Sequence, residues 1–204
     1  MRVDLVKKLG KLTSKEEGQV EGIDQLVFDA FNFRCMIHCL NEVPNSNFNE
    51  TSLFSLLGAG GTTSIVINIG KLADTTKGVN SLRKLWDNNK SSIPTKERMA
   101  IDIEFQKKNI LGSVVEFRNK LVAHNASTRE ITWVEIDDAL KFLIRVWHLI
   151  SEQSGCPVIG PTHDFIAVSH GFKSIFSFAE LSTMENAWKE YSLNFKTWMN
   201  TPAY

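Results

Sequence analysis

The sequence is poor in the features that mark several special classes of protein. Its three cysteines, Cys35, Cys39 and Cys156, are an odd and sparse set, which indicates a reducing compartment rather than a disulfide framework. No uninterrupted apolar run approaches the length that spans a bilayer, so no membrane contact is expected. Residues 1–15 are charged and lack the apolar core of a signal peptide, which argues against secretion. These absences predict a cytoplasmic protein.

The chain also lacks a net charge, because 23 Lys and Arg residues balance 23 Asp and Glu residues. This balance argues against a protein that coats nucleic acid non-specifically. The charge is uneven, however, since residues 77–120 hold ten basic and five acidic side chains. A charge run on a helix is usually a solvated face, so this surplus gives only weak support for an anionic ligand.

Motifs for a metal or a phosphate loop are incomplete. Cys35, His38 and Cys39 are close in sequence, but a structural zinc needs four ligands and no second Cys or His pair accompanies them. We interpret these cysteines as small buried thiols. The Gly-rich run at residues 58–63 lacks the Lys-Ser/Thr ending of a P-loop, which favours close helix packing or a helix break. No cofactor and no metal is expected.

Helix signals dominate the sequence and strand signals are scarce. They predict an all-α single domain, an antiparallel up-and-down four-helix bundle with an additional C-terminal helix on its outside. The predicted bundle occupies about residues 14–155, with a C-terminal extension over about 156–204. The first predicted helix begins at a capping box at 14–17. Two further long helices are predicted over about 53–73 and 96–123, with a short helix near 82–86 between them. A fourth long helix begins at a capping box at 132–135.

Two apolar stripes in these helices make further predictions. The first helix carries Val20, Ile23, Val27, Ala30 and Ile37 on one face. Arg34 lies on that stripe too, either as a snorkelling side chain or as a polar group that faces a site. A third capping box at 182–185 begins the last helix, whose bulky stripe must be buried on the bundle or against a partner chain. This stripe contains Met184, Trp188, Tyr191, Phe195 and Trp198.

The segment Arg118-Asn119-Lys120-Leu121-Val122-Ala123-His124 is the most informative in the chain. Leu111 and Val115 form one apolar line that Arg118 continues, and a neighbouring line, Ile110/Val114/Phe117/Leu121, is continued by His124. Charged groups at such positions are seldom fully buried unless they are paired or used. In the alternative interpretation, Arg118 pairs with Glu116 or Glu104 and His124 complements the helix dipole.

Residues 117–125 resemble the HEPN (higher eukaryotes and prokaryotes nucleotide-binding) superfamily, whose signature is an arginine followed after four to six residues by a histidine. The resemblance is closest to the abortive-infection AbiU-type branch. It covers about residues 14–155. The polar residue that usually follows the arginine is Asn119 here.

The resemblance implies a metal-independent endoribonuclease that acts as a growth-arresting toxin or phage-defence effector, with its active site at a homodimer interface. Its catalytic residues would be Arg118, Asn119 and His124. Arg118 would hold the phosphate, Asn119 would orient the reacting groups, and His124 would transfer a proton because imidazole titrates near neutral pH. RNA is the expected partner because its 2′-hydroxyl is an internal nucleophile. A small antitoxin protein is a further possible partner.

Spacing alone does not bring Arg118 and His124 together. Six helical residues leave them about 120° apart in azimuth and about 9 Å apart along the axis. Unwinding near Ala123 or a twofold dimer would bring them closer. Lys120 shares a face with His124 and is a candidate RNA contact, as is Arg34, although Lys120 could equally pair with Glu116.

Two further interpretations stay open at this stage. The same bundle could be a non-catalytic dimeric module that binds RNA or nucleotide or scaffolds a partner protein. It could also belong to the nucleotidyltransferase-paired branch of the superfamily, which usually carries a tyrosine just after the histidine. Residues 125–128 here read Asn-Ala-Ser-Thr, and this departure argues against that mode of control.

Overall fold

The structure is a computed structural model that describes residues 22–44, 46–76, 78–122, 130–153, 165 and 169–202. These residues form α-helices, two short 3-10 helices at Asn47–Glu50 and Lys90–Ser92, and loops, with no strand among them. The predicted all-α class is therefore confirmed for this part of the chain. The helices are α1 (Ile23–Asn41), α2 (Ser52–Leu72), α3 (Leu82–Asn89), α4 (Thr95–Lys107), α5 (Leu111–Val122), α6 (Trp133–Gln153) and α7 (Phe178–Asn200).

Helix α6 is the centre of the core, and it contacts α1, α2, α3, α5 and α7. It begins at the capping box predicted at 132–135, where Thr132 and Glu135 exchange side-chain to backbone hydrogen bonds. Its apolar stripe is buried almost continuously from Ile136 to Ile150. At its centre the indole Nε1 of Trp147 donates a hydrogen bond of 2.6 Å to Asp24 on α1. Burial raises the pKa of that carboxyl group.

Helix α7 packs on α1 and α6 of its own chain. Four residues of its predicted stripe, Met184, Trp188, Tyr191 and Phe195, are buried, and Trp198 is half-buried. The ring of Phe195 lies 4.9 Å from that of Phe31 on α1 and 5.9 Å from that of Trp147 on α6. The stripe is thus covered within one chain rather than by a partner.

The beginning of α7 differs from the prediction. The capping box was expected at residues 182–185, but Ser177 and Glu180 form it, and the helix begins at Phe178. Ser177 Oγ accepts a hydrogen bond from the Glu180 amide, and the Glu180 carboxylate accepts one from the Ser177 amide. Residues 177–180 and residues 182–185 both fit the capping-box pattern, and the helix begins at the earlier of the two segments.

The single long helix predicted over 96–123 is wrong, because the chain breaks it into α4 and α5 at residues 108–110. Lys108 ends α4 in the left-handed conformation, with φ 54°. The buried carboxylate of Glu104 then accepts hydrogen bonds from the amides of Ile110 and Leu111, at 2.6 and 3.1 Å. Glu104 thereby provides the acceptor that the first turn of α5 needs.

Helix α2 is continuous through its glycine run, and it matches the span predicted over 53–73. An ideal Cβ at Gly61 would lie 2.9 Å from Cδ1 of Ile37, which bears out the expected close helix packing against α1. The second half of α2 is buried, whereas Leu53, Leu56 and Leu57 in its first half are exposed. By length and composition alone α2 could cross a membrane, and 28% of its most apolar window is buried inside the structure.

The remaining predictions on the first helix are mostly confirmed. Ile23, Val27, Ala30 and Ile37 are buried on α1, and Cys35 and Cys39 are buried free thiols. Burial raises the pKa of the Cys39 thiol to about 12 and raises that of Cys35 further, so both stay protonated. Val20, Cys156 and the capping box at 14–17 lie outside the described residues.

Candidate functional site

A cleft lies where the C-terminal end of α2 meets α3, α4 and α5. Its volume is about 160 Å³, below the range of about 300–1,000 Å³ of sites that enclose a small ligand, and it is open to solvent. One wall is the α5 line Leu111, Val115 and Arg118, as the sequence spacing predicted, together with Asn119. The other lining residues are Gly70, Ala73, Asp74, Thr75, Arg83, Phe105 and Lys108.

Gly70 positions Arg118 in this cleft. Helix α5 packs on α2, and the Arg118 side chain crosses α2 at Gly70. An ideal Cβ at Gly70 would lie 2.2 Å from Cδ and 2.6 Å from one terminal nitrogen of Arg118. Any larger residue there would displace the guanidinium group, so the missing side chain of Gly70 creates the space that Arg118 occupies.

The Arg118 guanidinium is held by its neighbour Asn119. Nε and one terminal nitrogen of Arg118 donate hydrogen bonds of 3.2 and 2.9 Å to the side-chain oxygen of Asn119. The alternative pairing of Arg118 with Glu116 or Glu104 is not observed. Glu116 forms an ion pair with Lys120, and the Glu104 carboxylate accepts hydrogen bonds from backbone amides at the beginning of α5. Arginine has five N–H donors, and the other three of Arg118 have no partner among the described residues.

The charge of the cleft is predominantly positive. Arg83, Lys108 and Arg118 contribute three cations from three elements, and Asp74 contributes one carboxylate. Hydrogen bonds from Thr76, with smaller contributions from the charges of Arg118 and Lys84, hold the pKa of Asp74 below its usual value. Asp74 is therefore ionised at neutral pH and competes with an incoming anion for Arg118.

Two of the cations have unused donors. Arg83 donates from Nε to Asp87 at 3.0 Å, and its guanidinium lies 4.4 Å from the centre of the Phe105 ring. One terminal nitrogen of Arg83 is buried and has no hydrogen-bond partner among the described residues. Within the same part of the chain, no acidic group forms an ion pair with the exposed Lys108 ammonium. This arrangement can bind an anion with more than one phosphate or carboxylate group.

The predicted RNA contact Lys120 lies away from this cleft. Its ammonium group pairs with Glu116 at 2.7 Å. It lies beside a separate, smaller depression that also contains Glu130 and Glu135. The structure therefore favours the pairing that the sequence left open, and a role for Lys120 in RNA binding stays a prediction.

Arg34, the other predicted RNA contact, is buried between α6 and α7. It forms two hydrogen bonds to Asp137, at 2.7 and 2.9 Å, between the rings of Trp133 and Tyr191. The hydroxyl of Tyr191 also donates to Asp137, at 2.7 Å. Because Arg34 is paired and does not line the cleft, its role as an RNA contact also stays a prediction.

His124 lies outside the described residues, so its position relative to Arg118 is taken from sequence alone. Of the three predicted catalytic residues, the structure brings Arg118 and Asn119 together. It adds Gly70, Asp74, Arg83 and Lys108, which the sequence analysis did not single out. The basic surplus over 77–120 contained Arg83 and Lys108 but could not show that they share a cleft with Arg118.

The comparisons with known proteins add no assignment. No group of three or more His, Cys, Asp or Glu side chains suited to a metal ion occurs among the residues described. No protein-family model, curated protein or solved structure matches this chain. The HEPN resemblance therefore rests on the sequence of residues 117–125.

Proposed function

We propose that this protein is a metal-independent endoribonuclease of the HEPN type. What supports the proposal is one observation in particular. Arg118, the arginine of the signature, extends across Gly70 into a positively charged cleft, and its hydrogen bonds run to Asn119 rather than to a carboxylate. A guanidinium with free donors in such a cleft is suited to a phosphodiester, which it can bind through two parallel hydrogen bonds.

The proposed chemistry uses the ribose as its own nucleophile. The 2′-oxygen loses its proton and attacks the adjacent phosphorus, while the bond from phosphorus to the 5′-oxygen breaks and that oxygen gains a proton. His124 transfers one of these protons, since a histidine is the side chain best suited to proton transfer near neutral pH. Arg118 stabilises the negative charge that develops on the phosphate oxygens. Asn119 fixes the orientation of the guanidinium.

The finer architecture belongs to the same proposal. We assign the bundle to the HEPN type, and we expect two copies to place their Arg118 and His124 groups around one composite site. A dimer would overcome the separation of about 120° that a straight helix leaves between these residues. In this setting the protein acts in the cytoplasm as a growth-arresting toxin or defence effector, under the control of an antitoxin protein.

The test is cleavage of a single-stranded RNA in the presence of a chelator, with DNA of the same sequence in parallel. The wild-type protein should cut the RNA and leave the DNA intact. Arg118→Ala should lower the rate by about 10²–10³-fold, the range for loss of one transition-state donor. His124→Ala should lower it by about 10²–10⁴-fold, the range for loss of a general acid or base.

The matched control is Arg98→Ala, which removes a partly exposed arginine on α4 that does not line the cleft. This variant should cut RNA at the wild-type rate, and circular dichroism should show that all variants keep their helical content. A wild-type protein that binds RNA without cutting it would instead support a non-catalytic RNA-binding module. Equal cleavage by wild type and Arg118→Ala would contradict the proposal.

A further inference from the structure

Arg83 is the first residue that suggests a second binding position in the cleft. Its side chain is only 15% exposed, and its place is fixed by Asp87 on one side and the Phe105 ring on the other. The buried terminal nitrogen without a partner, described above, is an unusual feature of a native structure. Arg83 also lines the cleft, so its positive charge lies beside any anion that binds there.

Lys108 is the second such residue, and its backbone conformation is informative. It occupies the left-handed region, φ 54° and ψ 43°, at the end of α4. This position favours glycine, which adopts the conformation without steric cost, whereas lysine is strained there. The backbone of Lys108 is held by hydrogen bonds from its amide to the Glu104 carbonyl, at 2.7 Å, and from the Gly112 amide to its own carbonyl, at 2.9 Å. Lys108 also lines the cleft, and its ammonium group has no ion-pair partner in the described part of the chain.

We propose that Arg83 and Lys108 bind a second phosphate of the strand whose scissile phosphate lies at Arg118. The inference rests on the proposed function and names its substrate class as a single-stranded polynucleotide rather than a mononucleotide. Arg118 comes from α5, Lys108 from the end of α4 and Arg83 from α3, so three separate elements direct positive charge into one cleft. One phosphate at Arg118 would leave the positive charges of Arg83 and Lys108 unused, and a neighbouring phosphate would interact with both.

The experiment measures binding without cleavage. The probe is a fluorescent RNA of about 12 nucleotides with 2′-O-methyl riboses, a length within the roughly 4–16 nucleotides that single-strand sites span. The methyl group blocks the internal nucleophile, so affinity is measured by anisotropy whether or not the protein is a nuclease. The dissociation constant is measured over a series of salt concentrations, because each phosphate contact contributes to the salt dependence.

Lys108→Ala and Arg83→Gln should each weaken binding and lower the slope of log Kd against log salt by about 0.7, the value for one phosphate contact on a single strand. Lys107→Ala removes the neighbouring exposed lysine, which does not line the cleft, and should leave both quantities unchanged.

Lys108→Gly separates binding from folding. It should bind as weakly as Lys108→Ala, yet its thermal midpoint should be raised, because glycine relaxes the left-handed backbone. A purely structural role of Lys108 would make binding and stability change in the same direction, and that result would overturn the inference. So would variants of Arg83 and Lys108 that bind as wild type, or a wild type that does not bind the probe.

The outcomes of the two proposals are distinguishable. If the wild type binds the methylated RNA through Arg83 and Lys108 but does not cut ordinary RNA, the nuclease proposal fails and this inference stands. If it cuts RNA at Arg118 while Arg83→Gln and Lys108→Ala bind as wild type, the nuclease proposal stands and this inference fails.

Discussion

At the scale of single residues, the contact between Gly70 and Arg118 determines where the guanidinium group lies. The position of Arg118 on a line with Leu111 and Val115 was predictable, because helical spacing places residues three or four apart on one face. The need for glycine at position 70 was not, since no local pattern marks it and α5 crosses α2 there only in the folded chain. The sequence therefore predicted the face on which Arg118 lies but not the residue that accommodates its side chain.

Gly70→Ala tests this contact. Alanine is favoured over glycine in a helix interior by roughly 0.5–1 kcal/mol, but its Cβ would lie 2.2 Å from Cδ of Arg118. We expect the guanidinium to move and RNA cleavage to fall by at least about tenfold, since small misplacements of a catalytic group are costly. Cleavage rates and thermal unfolding are the measurements.

Gly60→Ala is the matched control for that substitution. Gly60 lies on the same helix, and an added Cβ would meet nothing within 4 Å. It should raise the free energy of unfolding by the same roughly 0.5–1 kcal/mol and leave cleavage unchanged. Equal cleavage by the Gly70→Ala and Gly60→Ala variants would show that Gly70 does not position Arg118.

At the scale of elements, the division between α4 and α5 is the clearest limit of prediction from sequence. Apolar spacing continues across residues 108–110, and neither glycine nor proline marks the break. The break depends on the left-handed Lys108 and on Glu104, whose carboxylate reaches the first amides of α5. By contrast, α2 and the beginning of α6 were predicted well, because apolar spacing and a local capping box define them.

Glu104→Ala tests how α5 is held. Loss of the carboxylate would leave the amides of Ile110 and Leu111 without their acceptor. We expect the free energy of unfolding to fall by about 1–2 kcal/mol, the upper part of the range for loss of a helix cap. Cleavage should fall too, since α5 carries Arg118. Urea denaturation and cleavage assays are the measurements.

Glu104→Gln is the companion variant, because it keeps an acceptor oxygen and removes the charge. It should lose less stability than Glu104→Ala, as hydrogen bonds to a charged acceptor are stronger than those to a neutral one. If both variants unfold at the wild-type urea concentration, the carboxylate does not hold the helix.

At the scale of the whole molecule, the balance of charge and the local cleft fit together. The chain as a whole is neutral, so general attraction for nucleic acid is weak, and three cations are concentrated where Arg118 lies. The all-α class and the burial of the last helix could be predicted from apolar stripes. The surface that covers the last helix could not be predicted. The same apolar stripe is expected whether the helix packs on its own chain or on a second chain.

The dimer proposal predicts complementation between two inactive variants. A mixed dimer of Arg118→Ala and His124→Ala subunits keeps one arginine and one histidine at the composite site, whereas a dimer of either variant alone lacks one of the two residues altogether. Random mixing should then restore up to about half of the wild-type activity, because about half of the dimers are mixed. Cleavage after unfolding and refolding the two variants together is the measurement.

The control refolds each variant alone, which should give no recovery. Light scattering of the wild-type protein at micromolar concentration should show a dimer. A strict monomer, or mixed dimers that stay inactive, would contradict a site shared across the twofold axis.

The place of α7 against α1 and α6 has a consequence for how the protein is made. Phe28 and Phe31 on α1 and Trp147 on α6 pack against Phe195, which is translated long after them. Arg145, paired with Glu97, also donates a hydrogen bond to the carbonyl of Met199. Until residue 199 has been synthesised, these aromatic side chains of α1 and α6 stay exposed to solvent. Nascent chains that stall before this point should therefore be substrates for chaperones and proteases.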